Sequence, residues 1–307
     1  STMDTKVSSS AAELQRFGLL SCSGDEARAF LHAQLTSDIA GLAQDEARFA
    51  GWCSAKGRLL ATFLVISRGN EFLLQVPREI APAVAKRLSM FILRAKVKLA
   101  DASEGWAQFG LWGSGSAGRL AGLGFAMPQA PMRTAHAQDG IVVQVAAEHF
   151  LVLVPAAQRA RIAAIANAPD EEAWSLEEIR AGRPQVLLAT QDQFVPQMIN
   201  LERLGAVDFK KGCYPGQEIV ARTQYRGVLK RRMVRARVAA AAAAGDEVFA
   251  DGLPGQASGA VVNAAAAPDG GSELLAVAQI SALENAQPLR LRSPDGPALE
   301  LLPLPYA

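Results

Sequence analysis

The spacing of hydrophobic positions in the first hundred residues predicts a mixture of strands and helices. An acidic start at Asp25-Glu26, followed by spaced apolar residues, predicts a helix, because negative charge is favourable in a helix's first turn. A second helix is expected over 80–92, where apolar residues recur at helical spacing. The strand-like stretches are 17–21, 47–54, 58–67, 71–76 and 97–99, with a hairpin turn at 68–70.

The same order of elements starts again after Trp106. Strands are predicted at 106–112, 140–147 and 149–154, and helices at 116–122 and 156–166. Two successive βαββαβ-like passes predict an α+β fold of two intertwined ferredoxin-like passes, with helices packed on one face of antiparallel sheets. From about 228 the pattern changes to short strands separated by Gly, Pro and Asp, with no convincing helix, which predicts a small β-barrel.

This pattern predicts three regions along the chain. The first α+β pass is expected over 10–103, and the second over 104–227. The all-β module is expected over 228–307, with the boundary falling between 228 and 245.

The composition narrows the class of protein. The 307 residues carry a net charge of +1 and three widely separated cysteines, which is no disulfide framework and indicates a reducing, cytoplasmic compartment. No stretch reaches the run of about 20 apolar residues that a membrane span needs. No secretory signal is visible at the start, so we expect no membrane partner.

The most unusual segment surrounds Cys213, in the run 210–218 (KKGCYPGQE). Two glycines and a proline predict a tight turn, and Gln217 onward can be helical. A cysteine ahead of a helix N-terminus and beside two lysines is a candidate nucleophile or metal ligand, because the helix end and the lysines both favour the thiolate over the thiol. The alternative is a small apolar residue that fills space in a turn.

Positive charge is concentrated around this segment. Residues 203–237 contain ten Arg or Lys against Asp208 and Glu218, a local net charge of +8. Such a patch is often a solvated face, but it also attracts a polyanion or a small ligand with a carboxylate tail. Aromatic residues are few here, so stacking on bases is poorly supported, but the charge by itself does not choose between nucleic acid and a small anionic ligand.

A resemblance distinguishes these alternatives. Residues 211–218 resemble the K-G-C-Y-x-G-Q-E signature of YgfZ-type proteins. The similarity extends to 35–38 (LTSD), 55–58 (AKGR), 194–197 (FVPQ), 200–201, 209–210, 221–222 and 302–306 (LPLPY). The resemblance implies the fold of the glycine cleavage aminomethyltransferase, a bound tetrahydrofolate or derivative, and a role in assembling or repairing iron–sulfur clusters of other enzymes.

The sequence departs from the transferases at two places. The transferases carry a pair of aspartates on a strand after a Gly-Gly turn, whereas 57–63 (GRLLATF) has no carboxylate. A folate-contacting glutamate of the transferases aligns with Arg180. Because transfer needs negative charge near the folate amine, we expect no glycine-cleavage aminomethyl transfer.

The resemblance and the charge together imply a set of site residues. Cys213 is the expected functional thiol. Trp52 and Trp174 are expected to line the pterin pocket, with ordinary core burial as the alternative. Three scattered cysteines and three scattered histidines give no metal site. The remaining expected folate contacts are Asp38, Lys211, Tyr214, Gln217, Glu218, Arg222 and Arg226.

The resemblance therefore implies an accessory protein whose partners are folate and client iron–sulfur enzymes or cluster-assembly proteins, and we expect no nucleic-acid partner. The alternative is a folate-dependent one-carbon transferase acting on an unidentified acceptor. A nucleic-acid-binding protein that uses the 203–237 patch is a third and weaker reading.

Overall fold

The computed structural model describes residues 8–137, 139–168, 170–227, 229–253 and 255–306. The chain divides into two compact units, each built from separated segments. The first unit comprises Ser1–Arg28, Gly41–Arg48 and Leu64–Trp174. The second unit comprises Ala29–Ala40, Phe49–Phe63 and Ser175–Ala307.

Strands and short helices alternate along the described chain. The strands are β1 (Ser10–Glu13), β2 (Phe17–Ser23), β3 (Ala47–Cys53), β4 (Leu59–Arg68), β5 (Glu71–Pro77), β6 (Lys98–Asp101), β7 (Trp106–Trp112), β8 (Thr134–Ala137), β9 (Gly140–Ala146), β10 (His149–Pro155), β11 (Arg231–Val238), β12 (Glu247–Ala250), β13 (Ala257–Ala266), β14 (Ser272–Gln279), β15 (Leu289–Leu291) and β16 (Glu300–Leu302). The α-helices are α1 (Ala27–Gln34), α2 (Ala81–Ser89), α3 (Ser116–Gly122), α4 (Arg159–Ala163), α5 (Glu172–Arg180), α6 (Gln217–Arg226) and α7 (Ile280–Glu284). Single 3₁₀ turns occur at Ser103–Gly105, Ala156–Gln158, Leu188–Thr190 and Pro196–Ile199.

The first unit contains a five-stranded antiparallel sheet in the order β1-β7-β10-β9-β8. Phe109 and Phe150 are buried in its core together with Leu120 of α3 and Ile162 of α4. Each such side chain contributes about 1.5–3 kcal/mol by leaving water, so this apolar face holds both helices.

A second five-stranded sheet has the order β3-β4-β5-β2-β6. The predicted hairpin is confirmed: β4 and β5 pair from Leu64↔Gln75 to Arg68↔Glu71. Strand β4 is buried at nine of its ten positions, which explains its nearly continuous apolar sequence.

The C-terminal part of the second unit is a six-stranded antiparallel sheet in the order β15-β12-β13-β14-β11-β16. Its core contains Val248, Leu274 and Leu291. The expectation that no helix follows residue 228 is wrong, because α7 lies directly after β14. A five-residue helix is too short to show a helical period in the sequence.

The predicted mixture of helices and antiparallel sheets is confirmed. The ferredoxin-like order of each pass, the closed barrel and the three-region division stay predictions. Val228, where the third region was expected to begin, lies outside the described residues. No helix in the described ranges is long and apolar enough to cross a membrane.

Candidate functional site

The signature segment 211–218 is a loop that leads into α6, in the second unit. Gly216 caps the helix with φ +79°, a conformation that suits glycine. A Cβ at Gly216 would lie 2.5 Å from the Cα of Gly57 and 2.6 Å from the carbonyl oxygen of Ser54. Gly57 also has a positive φ, and a Cβ there would lie 2.8 Å from the Cβ of Ile219. The two resembling motifs at 55–58 and 211–218 are therefore in direct backbone contact.

Two glutamines hold the backbone on either side of this contact. The Nε2 atom of Gln217 donates to the carbonyl oxygens of Lys211 and Gly212, at 3.2 and 3.3 Å. The Nε2 atom of Gln197 donates to the carbonyl oxygen of Val220 at 2.8 Å. Both side chains therefore position the loop and the first turns of α6.

Lys211 is directed at the C-terminal end of α1. Its ammonium group donates to the carbonyl oxygens of His32 and Leu35, and to that of Ser37 at 3.2 Å. Carbonyls at the end of a helix lack intrahelical partners, so a cation there is favourable. Burial lowers the pKa of Lys211 to about 8. Lys211 therefore holds the loop against α1, whereas the sequence placed it beside the thiol.

Tyr214 lies beneath this lysine. The ammonium nitrogen of Lys211 is 5.0 Å from the centre of the Tyr214 ring, within the range of a cation–π contact. Burial raises the pKa of Tyr214, with the nearby Cys53 adding to the effect. The tyrosine is thus a neutral, buried support for the loop.

Cys213 is exposed to solvent, unlike the other two cysteines. Burial raises the pKa of both Cys22 and Cys53 to about 12, which makes them poor nucleophiles at neutral pH. Lys211, Tyr214 and Gln217 are engaged in contacts within the protein, so the loop presents Cys213 on a fixed backbone. This arrangement suits a thiol that acts on another molecule.

Three other expected folate contacts, Trp52, Trp174 and Asp38, differ in their burial and partners. Trp52 and Trp174 are 1% and 2% exposed, so both are core residues in this conformation. Asp38 lies 3.5 Å from Nδ1 of His32, but this nitrogen accepts N–H bonds from Ile39 and Ala40 and is therefore not protonated. The roles of these residues in folate binding stay predictions.

On α6, Glu218 and Arg222 form an i,i+4 ion pair at 3.1 Å. Arg226 is exposed at the last position of this helix. A cation there is favourable to the helix without any ligand. Their roles in folate binding also stay predictions.

A narrow crevice in the second unit contains a residue that sequence reasoning missed. Arg183 is 5% exposed and donates from Nε to Glu178 at 3.0 Å, but its buried Nη2 atom has no hydrogen-bond partner within the described chain. A buried guanidinium nitrogen without a partner is unfavourable, which makes this nitrogen a candidate donor to a bound ligand. The crevice has a volume of about 10 Å³ and is lined by Phe49, Ala50, Thr62, Arg183, Pro184, Leu201 and Leu204.

Segment 59–63, which the resemblance aligns with the aspartate-bearing strand of the transferases, carries buried apolar side chains. Leu59, Leu60, Ala61 and Phe63 are at most 5% exposed. Thr62 is also buried, and its hydroxyl accepts the N–H of Val186 at 3.1 Å. This segment is therefore packed into the protein and holds no carboxylate.

Arg180, which the resemblance aligns with a folate-contacting glutamate of the transferases, forms an ion pair within the protein. It pairs with Glu273 at 2.7 Å, and Arg235 pairs with the same carboxylate at 2.8 Å. Burial by itself raises the pKa of Glu273, but the hydrogen bonds from the two arginines bring it below its ordinary value. The positive charge at Arg180 is thus balanced by a carboxylate of β14.

The basic stretch 203–237 separates into paired and unpaired cations. Arg222, Arg232, Arg235 and Arg237 each pair with a carboxylate within 3.2 Å. Five others are exposed and have no ion pair to any described residue: Arg203, Lys210, Arg226, Lys230 and Arg231. Across the described ranges, no three His, Cys, Asp or Glu side chains are grouped as a metal site requires.

Comparison with known proteins gives the context for this site. No model of a protein family matches the chain. The aminomethyltransferase T of the glycine cleavage system from Bartonella henselae has a similar structure, with a TM-score of 0.79 at 16% identity, covering 99% of this chain and 87% of that one. This similarity shows that the chain has the aminomethyltransferase fold.

Three curated relatives carry the name tRNA-modifying protein YgfZ. The one from Sodalis glossinidius is 30% identical over 96% of this chain and 92% of its own length. Those from Edwardsiella ictaluri and Vibrio vulnificus (strain YJ016) are also 30% identical, over 94% and 72% of this chain and 89% and 68% of their own lengths. The resemblance of the signature loop is therefore confirmed along almost the entire sequence, and the chain belongs to the YgfZ family.

Proposed function

We propose that the protein binds tetrahydrofolate or a derivative and supports the assembly or repair of iron–sulfur clusters in other enzymes, with Cys213 as its functional thiol. The observation that carries this proposal is the signature loop. Its Lys211, Tyr214 and Gln217 are engaged within the protein, whereas the thiol of Cys213 is exposed. A thiol presented in this way can bind iron or exchange with a partner's sulfur transiently.

The crevice at Arg183 supports folate binding by its chemistry. Phe49, Leu201 and Leu204 offer apolar walls, and Nη2 of Arg183 offers an unused donor for a ring nitrogen or oxygen. A volume of about 10 Å³ holds roughly one water molecule and no pterin ring. Binding of the ring therefore requires lining side chains to move.

Titration calorimetry with tetrahydrofolate tests this site. Arg183→Lys keeps a positive charge beside Glu178 but replaces the guanidinium with a single ammonium nitrogen, so the donor at Nη2 is lost. We therefore expect about tenfold weaker binding. Arg203→Lys, an exposed arginine outside the crevice, is the matched control and should bind like the wild type. Absence of heat with the wild-type protein contradicts folate binding, and equal affinity of Arg183→Lys contradicts the crevice.

The role of the thiol is tested separately. Because Cys213 is exposed, Cys213→Ala should keep the stability of the wild type within about 0.5 kcal/mol. The variant should nevertheless fail to restore the activity of iron–sulfur enzymes in cells that lack their own copy of the protein. Full restoration by Cys213→Ala contradicts the assigned role of the thiol.

A part in tRNA modification is the second candidate. The names of the curated relatives favour it, and so do five exposed cations in 203–231 that form no ion pair with any described residue. Tyr225, 72% exposed and packed edge-on against Phe209 at 6.3 Å, adds an aromatic face. This candidate opposes our expectation of no nucleic-acid partner. A tRNA gel shift that weakens steeply with salt and is lost in Arg226→Glu/Lys230→Glu supports it, and absence of a shift at low salt contradicts it.

The alternative of a one-carbon transferase has its own test. The apolar filling of 59–63 leads us to expect no tetrahydrofolate-dependent release of ammonia from an aminomethyl carrier. Turnover of labelled methylene-tetrahydrofolate with any acceptor fraction would favour the transferase over the accessory role.

A further inference from the structure

A loop of the first unit exposes an unusual run of large apolar side chains. Among the described residues, six large hydrophobic side chains are exposed, and three of them lie within four consecutive positions. These are Met90 at 69%, Phe91 at 46% and Leu93 at 88% exposure. Single exposed apolar residues are ordinary on a protein surface, but a contiguous group marks a binding site.

The backbone of this loop is well defined by hydrogen bonds. After α2, the N–H groups of Phe91 and Ile92 bond to the carbonyl oxygens of Leu88 and Ser89 at 3.1 and 3.2 Å, and Ala95 N–H bonds to that of Ile92 at 2.9 Å. The returning chain is anchored at Lys96, whose N–H donates to the Glu26 carboxylate and whose carbonyl oxygen accepts from Glu26 at 3.2 Å. The apolar side chains are therefore displayed from a fixed backbone.

Leu93 has φ +51°, in the left-handed region. This conformation is unfavourable for leucine because its Cβ crowds the following carbonyl oxygen. In this conformation the Leu93 side chain is 88% exposed and makes little contact with the rest of the chain. Strain that directs an apolar side chain into solvent is typical of a residue that contacts a partner.

The charge around the loop indicates the chemistry of that partner. Residues 86–98 contain five cations and no Asp or Glu, and the nearby carboxylates are those of Glu26, at the Lys96 N–H, and of Glu79 and Asp101, which flank the segment in sequence. All five are exposed: Lys86, Arg87, Arg94, Lys96 and Lys98. A complementary surface must therefore be both apolar and acidic.

We propose that this apolar–basic loop, residues 86–98, docks an acidic amphipathic segment of a partner protein. The loop uses none of the residues of the candidate site, so this proposal does not depend on the function proposed above. Nucleic acid fits less well, because three of the four residues at 90–93 are aliphatic and do not stack on bases. The fixed orientation of Leu93 suits insertion into a pocket on a protein better than contact with a fluid lipid surface.

The test uses the full chain and a synthetic labelled peptide of about 16 residues, with Leu and Phe on one helical face and Glu on the other. Fluorescence anisotropy should show saturable binding that weakens several-fold between about 0.05 and 0.5 M salt. A peptide of the same composition in scrambled order, and one with Lys in place of Glu, should bind at least about tenfold more weakly.

Leu93→Gly is the decisive variant. Glycine adopts a positive φ freely, so this variant should be at least as stable as the wild type, yet bind the peptide about tenfold more weakly. Leu188→Gly, which removes a leucine 64% exposed elsewhere, is the matched control and should leave peptide binding unchanged. Arg94→Glu/Lys96→Glu should abolish binding.

Three outcomes overturn the proposal. The first is no saturation at about 200 μM peptide, a concentration well above the dissociation constant of an ordinary transient complex. The second is equal binding by the wild type and Leu93→Gly. The third is tight, Leu93-dependent binding to anionic phospholipid vesicles or to tRNA in the absence of peptide binding, which would assign the loop to a membrane surface or to RNA.

Discussion

Gly216 and Gly57 define the site at the scale of single residues. Their backbones are in contact because neither carries a side chain, and both have a positive φ. The contact fixes the turn between β3 and β4 against the loop that carries Cys213. The exposed thiol of Cys213 is thus positioned by residues that have no reactive side chain.

Gly216→Ala should strongly destabilise the protein. Its Cβ would lie 2.5 Å from the Cα of Gly57, and the left-handed conformation adds strain, so we expect the free energy of unfolding to fall by about 2–4 kcal/mol. Gly212→Ala, in the same loop but with open space around the added Cβ, should change it by less than about 0.5 kcal/mol. Urea unfolding measures both, and equal effects would contradict the backbone contact.

At the scale of elements, the end of α1 depends on a residue 177 positions beyond its last residue. Lys211 donates to the carbonyl oxygens of His32 and Leu35 and to that of Ser37. Thr36 adds to the junction, because its hydroxyl donates to the carbonyl oxygen of Ala206 at 2.6 Å. The segment after α1 and the signature loop therefore stabilise one another.

Lys211→Met should lower the free energy of unfolding by about 1–3 kcal/mol, because it leaves carbonyls at the end of α1 without their charged donor. Lys210→Met removes an exposed neighbouring lysine and should have an effect below about 0.5 kcal/mol. Thermal or urea unfolding of the two variants makes the comparison. An equally large loss of stability in Lys210→Met would show that the stability depends on the positive charge of the loop and not on the contact of Lys211 with the end of α1.

His32 should make the same junction sensitive to acid. Burial, and then the charge of Lys211, lower the pKa of His32 below its ordinary value of 6.5. In the unfolded chain His32 takes up a proton near pH 6.5, and in the folded protein only at lower pH, so stability should decrease as pH falls below about 6.5.

The measurement is urea unfolding between pH 7.5 and 5 for the wild type and His32→Asn. Asparagine offers an oxygen acceptor for the N–H groups of Ile39 and Ala40 but does not titrate. The variant should therefore lose less stability on acidification, by up to about 1.4 kcal/mol per pH unit. Parallel curves would contradict the role of His32.

At the scale of the whole molecule, the chain has the aminomethyltransferase fold, and the segment that the resemblance aligns with catalytic aspartates holds no carboxylate. The segment 59–63 has apolar packing in place of carboxylates, and Arg180 is neutralised by Glu273. The three cysteines also divide by environment, with Cys22 and Cys53 buried in separate units. The exposed thiol therefore lies in a single loop of the second unit.

Thiol titration with a disulfide reagent should find one reactive group in the native protein and three after denaturation. Burial raises the pKa of Cys22 and Cys53 to about 12, so both should stay unreactive at pH 8. The native Cys213→Ser variant should not react with the reagent until the protein is unfolded. Fast reaction of a second thiol in the native state would contradict the burial of the other two cysteines.

The sequence by itself determined much of the local structure. The helix at 116–122, the strand at 106–112 and the hairpin at 68–70 all agree with the structure. Their signals are local, because periodicity and turn residues depend on neighbours within a few positions. The signature around Cys213 likewise identified the family, since its unusual residues are contiguous.

Only the tertiary structure decided what the individual side chains do. Lys211 lies two residues from Cys213 in sequence, yet its partners are 174 to 179 positions away, and Arg183 carried no signal in the sequence at all. The exposure of Leu93 was equally invisible, since 80–92 has the apolar spacing of a buried helix face. Hydrogen-bond partners and burial depend on which distant segments meet, and sequence spacing contains no measure of that distance.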